Sequence, residues 1–176
     1  PGKKVSANVK FIDLRTNETI RNVEADLNGK FLLTLPVNKT YAAFVEKNGY
    51  LFYSQNFVLN DLAKEQDAYF DLNIKLQPIK IGATIVLKNI FYETAKFNLL
   101  DESKAELNQL VEFMKLNKNI KIEIGGHTDN VGTDSDNLVL SQNRSEEVRK
   151  YLISKGIAEQ RIVAKGYGET KPIADN

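Results

Sequence analysis

Asp129 and Arg144 are the two charged residues of this sequence whose types and spacing best suit the binding of a ligand. Asp129 follows a predicted strand at 120–124, and Arg144 lies in the predicted helix after the intervening loop. Ligands of open α/β sheets bind where strands end. The carboxylate could accept hydrogen bonds from an ammonium group, while the planar guanidinium could donate two parallel hydrogen bonds to a carboxylate. A ligand carrying both groups would fit the pair, with each contact worth about 1.5 to 3 kcal/mol.

Spacing alone also permits simpler roles for these residues. Asp129 and Arg144 could pair with each other or lie on a solvated surface, and that arrangement is the more common one. His127 is interpreted as a hydrogen-bonding loop residue rather than a catalytic one. The acidic loop from Asp129 to Asp136 lacks the glycine and the glutamate that an EF-hand places at fixed positions, so no metal site is predicted.

The composition excludes several kinds of chemistry. The 176 residues include no cysteine, which rules out disulfides, thiolate metal sites and a cysteine nucleophile. A single histidine argues against zinc, and no cofactor is predicted. The formal net charge is +1 without blocks of like charge, which argues against a nucleic-acid partner.

The ends of the chain and its apolar segments bear on its setting. No apolar stretch approaches the ~18 residues of a membrane-spanning helix, and the N-terminus does not resemble a signal peptide. Because the chain begins with Pro1 rather than Met, we expect it to be a piece of a longer protein.

Turn residues divide the first part of the chain into short strand-like runs. Asn28-Gly29 is a strong hairpin signal, because a type I′ turn needs positive φ at both central positions. The runs that alternate in polarity or are rich in aromatic residues are 5–14, 20–27, 30–35, 41–47, 52–59 and 69–76. Strands at this spacing predict an N-terminal all-β domain over residues 1–77, an antiparallel β-sandwich.

From residue 78 onward, strand-like and helix-like hydrophobic periods alternate. The predicted elements are strands at 83–92, 120–124 and 161–167 and helices at 101–116 and 138–155. Gly156 follows the second helix, in the position where glycine commonly ends helices. The order β-α-β-α-β predicts a two-layer α/β domain over residues 78–176, with both helices on one face of a sheet.

Several C-terminal motifs resemble a known family. They are GGHTDNVG at 125–132, NLVLSQNRSEEVRKYL at 137–152, KGI at 155–157 and RIVAKGYGETKPIADN at 161–176. In this order they look like the OmpA-like domain shared by outer-membrane porin anchors, peptidoglycan-associated lipoproteins and flagellar stator proteins. In that family the aspartate of the TDN motif and the arginine of the LSxxR motif hold the diaminopimelate of the peptidoglycan stem peptide. The resemblance assigns these roles to Asp129 and Arg144.

The same resemblance implies further site residues and a cellular setting. Six more positions match residues that shape, support or flank the pocket: Thr128, Asn130, Asn137, Leu140, Phe91 and Tyr92. It implies a non-catalytic protein of the Gram-negative periplasm, associated with the outer membrane. Its partners would be peptidoglycan and other cell-envelope proteins, and its role would be to anchor an envelope assembly to the cell wall. Family members usually continue beyond the position of Asn176 into an arginine-rich strand.

The first part of the chain has a looser resemblance. DLNGKF at 26–31, Leu35-Pro36, Tyr41 and NGY at 48–50 are similar to landmarks of the carboxypeptidase regulatory-like β-sandwich. The usual role of that module is structural or adhesive.

Two other functions stay open at this point. A peptidoglycan hydrolase could use Asp129 and Asp134, although an exposed polar loop is a poor place for a carboxylic acid of raised pKa. A protein–protein scaffold could instead use the β-sandwich as its binding part.

Overall fold

The structure, a computed structural model, describes residues 3–60, 70–94 and 96–170. It divides into two compact units, Pro1–Asn89 and Ile90–Asn176. The predicted boundary after residue 77 precedes this division, because the backbone around it pairs with the first unit. The Leu51 N–H donates to the Gln77 carbonyl and the Ile79 N–H donates to the Gly49 carbonyl.

The first unit contains a four-stranded antiparallel sheet. Its strands are β1 (Asn8–Asp13), β2 (Glu18–Glu24), β3 (Lys39–Glu46) and β4 (Tyr53–Leu59), in the order β2-β1-β3-β4. The central strands β1 and β3 place Val9 opposite Val45 and Phe11 opposite Ala43, and all four of these side chains are buried. These four strands confirm four of the six predicted from the sequence.

The strands predicted at 30–35 and 69–76 are wrong for the residues that the structure describes; Tyr69 lies outside them. The alternate apolar residues that suggested these strands are nevertheless the ones that pack inward. Half-buried side chains from both segments pack on the core of the sheet: Phe31, Leu33, Leu35, Leu72, Ile74 and Leu76. Alternating polarity reports one buried face, whereas a strand also needs a ladder of backbone hydrogen bonds to a neighbour.

The predicted type I′ hairpin at Asn28-Gly29 is also wrong in type. Gly29 has a φ of +71°, but the φ of Asn28 is not positive. The Asp26 carboxylate organises the turn instead, because its Oδ1 accepts from the N–H groups of Asn28 and Lys30, each at 2.8 Å. A side chain that caps the turn thus replaces the backbone geometry that the dipeptide suggests.

The second unit contains two helices and a two-stranded parallel sheet. Its elements are α1 (Lys104–Leu116), β5 (Ile122–Gly126), α2 (Asp134–Ser154) and β6 (Ile162–Gly166), with 3₁₀ turns at Asp101–Ser103 and Glu159–Arg161. β5 and β6 pair directly, with Ile124 opposite Ala164. Since parallel neighbours need a crossover connection, α2 joins them as the helix of a β-α-β unit. The chain therefore has the mixed α/β character that the sequence predicts.

Two predictions for this part of the chain need correction. Residues 83–92 form no strand, and their regular pairing is limited to a bridge between Tyr92 and Leu99. As in the first unit, alternating burial at Ala83, Ile85 and Leu87 occurs without a ladder. α2 begins at Asp134 rather than at 138, because its polar first turn carries no hydrophobic period. No helix within the described residues is long and apolar enough to span a membrane.

Candidate functional site

The ends of β5 and β6 lie directly against α2. A Cβ atom on Gly126 would come within 2.1 Å of the Ser141 carbonyl oxygen, and one on Gly166 within 2.5 Å of the Gln142 nitrogen. Only glycine permits so close an approach of two backbones. The loop that follows β5 therefore emerges beside the first turns of α2.

Hydrogen bonds tie this loop to the turn that follows β6. The Thr128 N–H donates to the Gly168 carbonyl at 3.0 Å, and the Tyr167 N–H donates to the Gly126 carbonyl at 2.9 Å. The Gly168 N–H in turn donates to Ser141 Oγ at 2.9 Å. The backbone of Thr128 is thus fixed from both β6 and α2, immediately before Asp129.

His127 contacts its surroundings mainly through its ring. The imidazole stacks on the Tyr167 ring with 5.3 Å between centroids and an interplanar angle of 13°. Its Nδ1 atom is buried and has no hydrogen-bond partner among the described residues. The residue therefore packs the loop against the turn that follows β6 rather than bonding through Nδ1.

The start of α2 is fixed by two side chains. The Thr133 side chain caps the helix, with its Oγ1 accepting from the Asp136 N–H at 3.1 Å. The Asn137 Nδ2 group donates to Glu169 Oε2 at 2.7 Å, and Asn137 is buried. Asn137 thus links the start of α2 to the turn that follows β6.

Asp129 lies on the surface of the loop. Its Oδ1 atom accepts from the Val131 N–H at 3.3 Å, which closes a local turn of the loop backbone. Asn130 is likewise exposed, and Leu140 is half-buried on α2. The carboxylate of Asp129 therefore keeps acceptor capacity for a group outside the chain.

Arg144 is held in place by the segment before α1. Its Nε–H donates to the Lys96 carbonyl at 3.1 Å, and its Cζ atom lies 4.7 Å from the centroid of the Tyr92 ring. The Tyr92 hydroxyl donates to the Arg144 carbonyl at 3.4 Å. Burial raises the pKa of Tyr92 to about 12, so the phenol stays protonated and neutral beside the guanidinium.

Asp129 and Arg144 do not form the mutual salt bridge that spacing alone favours. Across residues 3–60, 70–94 and 96–170, neither side chain takes part in an ion pair. Two opposite charges on one loop–helix unit therefore stay available to a ligand.

The remaining predicted residue, Phe91, serves a different contact. Its N–H donates to Ser103 Oγ at 2.8 Å, and Ser103 Oγ donates to its carbonyl at 3.1 Å. These bonds fasten the segment before Tyr92 to the start of α1. The described residues contain no group of three or more metal-ligating side chains placed to hold an ion.

Comparison with known proteins identifies the family of the chain. The OmpA family model matches residues 91–176, which contain every site residue described above. The peptidoglycan-associated lipoprotein of Buchnera aphidicola is 32% identical over 151 residues, covering 81% of this chain and 83% of that protein. The chain belongs to the OmpA family.

Two other relatives are much longer than this OmpA-family chain. Outer membrane porin F of Pseudomonas fluorescens is 42% identical over 74 residues, covering 42% of this chain and 23% of the porin. The photosystem I P700 chlorophyll a apoprotein A2 of Gloeobacter violaceus is 32% identical over 157 residues, covering 88% of this chain and 18% of that protein. The chain thus spans about a fifth of the length of these two relatives.

The relatives also indicate the cellular location of the chain. Its relatives include outer-membrane porins and a peptidoglycan-associated lipoprotein of Gram-negative bacteria. The chain is periplasmic and associated with the outer membrane, as the sequence predicts.

Two residues that position the site of this OmpA-family chain are missed by sequence reasoning. Glu169 holds Asn137, and Lys96 holds Arg144. Glu169 stands in the GYGET run that carries the family resemblance, which was the available signal. Lys96 acts through its backbone carbonyl, a contact that no side-chain pattern reveals.

Proposed function

We propose that the second unit binds peptidoglycan without breaking any bond, and so anchors an outer-membrane or periplasmic assembly to the cell wall. Membership of the OmpA family and likeness to a peptidoglycan-associated lipoprotein support this role. The partners would be peptidoglycan and the envelope proteins of that assembly.

The proposed ligand is the diaminopimelate of the stem peptide, which presents a free ammonium and a free carboxylate on one side chain. Asp129 would accept hydrogen bonds from the ammonium, and Arg144 would donate to the carboxylate. Thr128, Asn130 and Leu140 would line or support the contact, with Asn137, Phe91 and Tyr92 behind them.

One observation carries the proposal. The carboxylate of Asp129 and the guanidinium of Arg144 are each held by neutral groups of the protein, a backbone N–H in one case and a carbonyl and a ring in the other. Neither charge is neutralised by a described residue. A charge-assisted hydrogen bond is roughly twice as strong as a neutral one. A ligand that neutralises both charges therefore gains more binding free energy here than it would from charges that are already paired in a salt bridge.

Sedimentation with purified sacculi tests this function. Asp129→Ala and Arg144→Ala should each abolish co-sedimentation, since each removes a charged contact worth about 1.5 to 3 kcal/mol from a site that depends on two. Asp71→Ala and Arg21→Ala, exposed residues of matching charge in the first unit, are the controls and should bind normally.

Two results would contradict the proposal. Undiminished binding by both site variants would place the site elsewhere. Release of dye from labelled sacculi by the intact chain would replace a binding role with hydrolysis.

For the first unit we propose the carboxypeptidase regulatory-like β-sandwich as the fold. The packing of Phe31, Leu33 and Leu35 on the core of the sheet, together with Leu72, Ile74 and Leu76, supports a second layer.

A further inference from the structure

The guanidinium of Arg144 already makes two contacts within the protein, a hydrogen bond from Nε and a cation–π contact with a ring. Its Nε–H is used by the Lys96 carbonyl at 3.1 Å, and its Cζ lies 4.7 Å from the Tyr92 ring centroid. A guanidinium offers five N–H donors in one plane, one on Nε and four on the terminal nitrogens. The four terminal donors are the ones that no hydrogen bond between described residues engages.

Tyr92 is itself fixed from several directions. Its backbone pairs with Leu99 across a closed loop, and the Lys96 N–H donates to the Glu93 carbonyl within that loop at 3.0 Å. Its hydroxyl points to the Arg144 carbonyl. The same short loop therefore supplies both the ring and the carbonyl that hold Arg144.

We propose that Tyr92 is a positioning residue for Arg144 rather than a direct contact of the ligand. With Nε bonded to the Lys96 carbonyl and Cζ over the Tyr92 ring, the guanidinium meets a ligand carboxylate end-on, through its two terminal nitrogens. This inference rests on the proposed function and adds the means by which the chain orders its carboxylate-binding group.

The energetic reason is preorganisation. A free arginine side chain samples many rotamers, and immobilising such a side chain on binding costs affinity. The contact with the Tyr92 ring and the hydrogen bond to Lys96 already order the side chain in the unliganded protein, so less freedom is lost on binding. Removing the ring should therefore weaken recognition of the carboxylate and leave recognition of the ammonium by Asp129 unchanged.

Calorimetry of the full 176-residue chain with two stem peptides tests whether Tyr92 affects recognition of the carboxylate alone. One peptide contains diaminopimelate, and the other contains lysine, which lacks the second carboxylate. Tyr92→Leu should lose affinity for the diaminopimelate peptide by roughly three- to tenfold, the range expected for one side chain that must now be ordered on binding. Its affinity for the lysine peptide should stay the same.

Tyr92→Phe is the matched variant, because it keeps the ring and loses only the long hydrogen bond to the Arg144 carbonyl. It should retain the wild-type preference between the two peptides. The inference is overturned if Tyr92→Leu keeps the full preference, or if it weakens both peptides equally as a purely structural defect would.

A measurement on the wild-type chain keeps the test decisive if Tyr92→Leu fails to fold. With ¹⁵N-labelled arginine, the Arg144 Nε–H should exchange with water more slowly than that of exposed Arg21, and ring currents should shift its signal. Equal exchange and an unshifted signal would contradict the arrangement. Retained binding by Arg144→Ala would instead refute the proposed function, so the two failures are distinct.

Discussion

At the residue scale, the two charges of the proposed site are held by different means. Asp129 is fixed through its own loop, by a backbone N–H two residues on, whereas Arg144 is fixed by a segment far away in sequence. The loop carboxylate can adjust to a ligand while the guanidinium is already ordered. We therefore expect Arg144 to set the orientation of the ligand and Asp129 to complete the contact.

A second carboxylate in the chain, Asp13 on β1, shows what pairing does to such a group. The hydrogen bond from Lys39 at 2.7 Å lowers the pKa of Asp13 below 3.8, assisted by the Arg15 N–H and opposed by burial. A carboxyl whose pKa is lower in the folded state stabilises the fold above its unfolded pKa. That stabilisation is lost as the pH falls through the folded pKa.

This gives a pH prediction for the first unit. Its stability should fall as the pH is lowered below about 4, near the unfolded aspartate pKa. Asp13→Asn should be less stable at neutral pH and less sensitive to acid, and Lys39→Ala should reduce the acid sensitivity in the same way. Urea denaturation between pH 2 and pH 7 measures both effects, and an unchanged acid sensitivity in both variants would contradict this account.

At the element scale, the site depends on how closely α2 lies against the two strands. Gly126 and Gly166 end β5 and β6 where backbone and side-chain atoms of Ser141 and Gln142 leave no room for a Cβ. The buried face of α2 continues below this contact through Ser145, Val148 and Leu152. The buried residues Ser141 and Ser145 are small, whereas Val148 and Leu152, nearer the C-terminus of α2, are larger. The helix is therefore closest to the strands where the loop begins.

Adjacent glycines allow a matched test of this contact. Gly126→Ala would place a Cβ 2.1 Å from a backbone oxygen and should destabilise the second unit by about 1 to 3 kcal/mol or more. Gly125→Ala would place a Cβ 3.1 Å from His127 Nε2 and 3.4 Å from the Tyr167 ring, which are side-chain atoms rather than backbone, and should be much milder. Thermal unfolding compares the two, and equal losses would show that the close approach is not what fixes the loop.

Helices and strands differed in how well the sequence predicted them. Helical periods placed α1 and most of α2 correctly, because the helix makes its hydrogen bonds within itself. Alternating runs such as 30–35 and 83–92 gave the right buried faces and no strands. Pairing depends on a neighbour elsewhere in the chain, and alternation within one segment carries no information about that neighbour.

At the scale of the whole molecule, the change from strands alone to alternating strands and helices predicts two parts divided after residue 77, and the structure divides into two compact units after Asn89. The exact division was not predictable, because Gln77 and Ile79 pair with residues around 49–51 that the local pattern does not connect to them. For the site, the residue types suggest a ligand with both an ammonium and a carboxylate, and the family motifs suggest the proposed one, diaminopimelate. The absence of a salt bridge between Asp129 and Arg144 and the support from Tyr92 required the three-dimensional structure.

Calorimetry of the wild-type chain with the two stem peptides tests the central claim most directly. The diaminopimelate peptide should bind at least about tenfold more tightly than the lysine peptide, because the loss of one charge-assisted contact is worth about 1.5 to 3 kcal/mol. Equal affinity for the two peptides, or no binding of either, would contradict recognition of a zwitterion by Asp129 and Arg144.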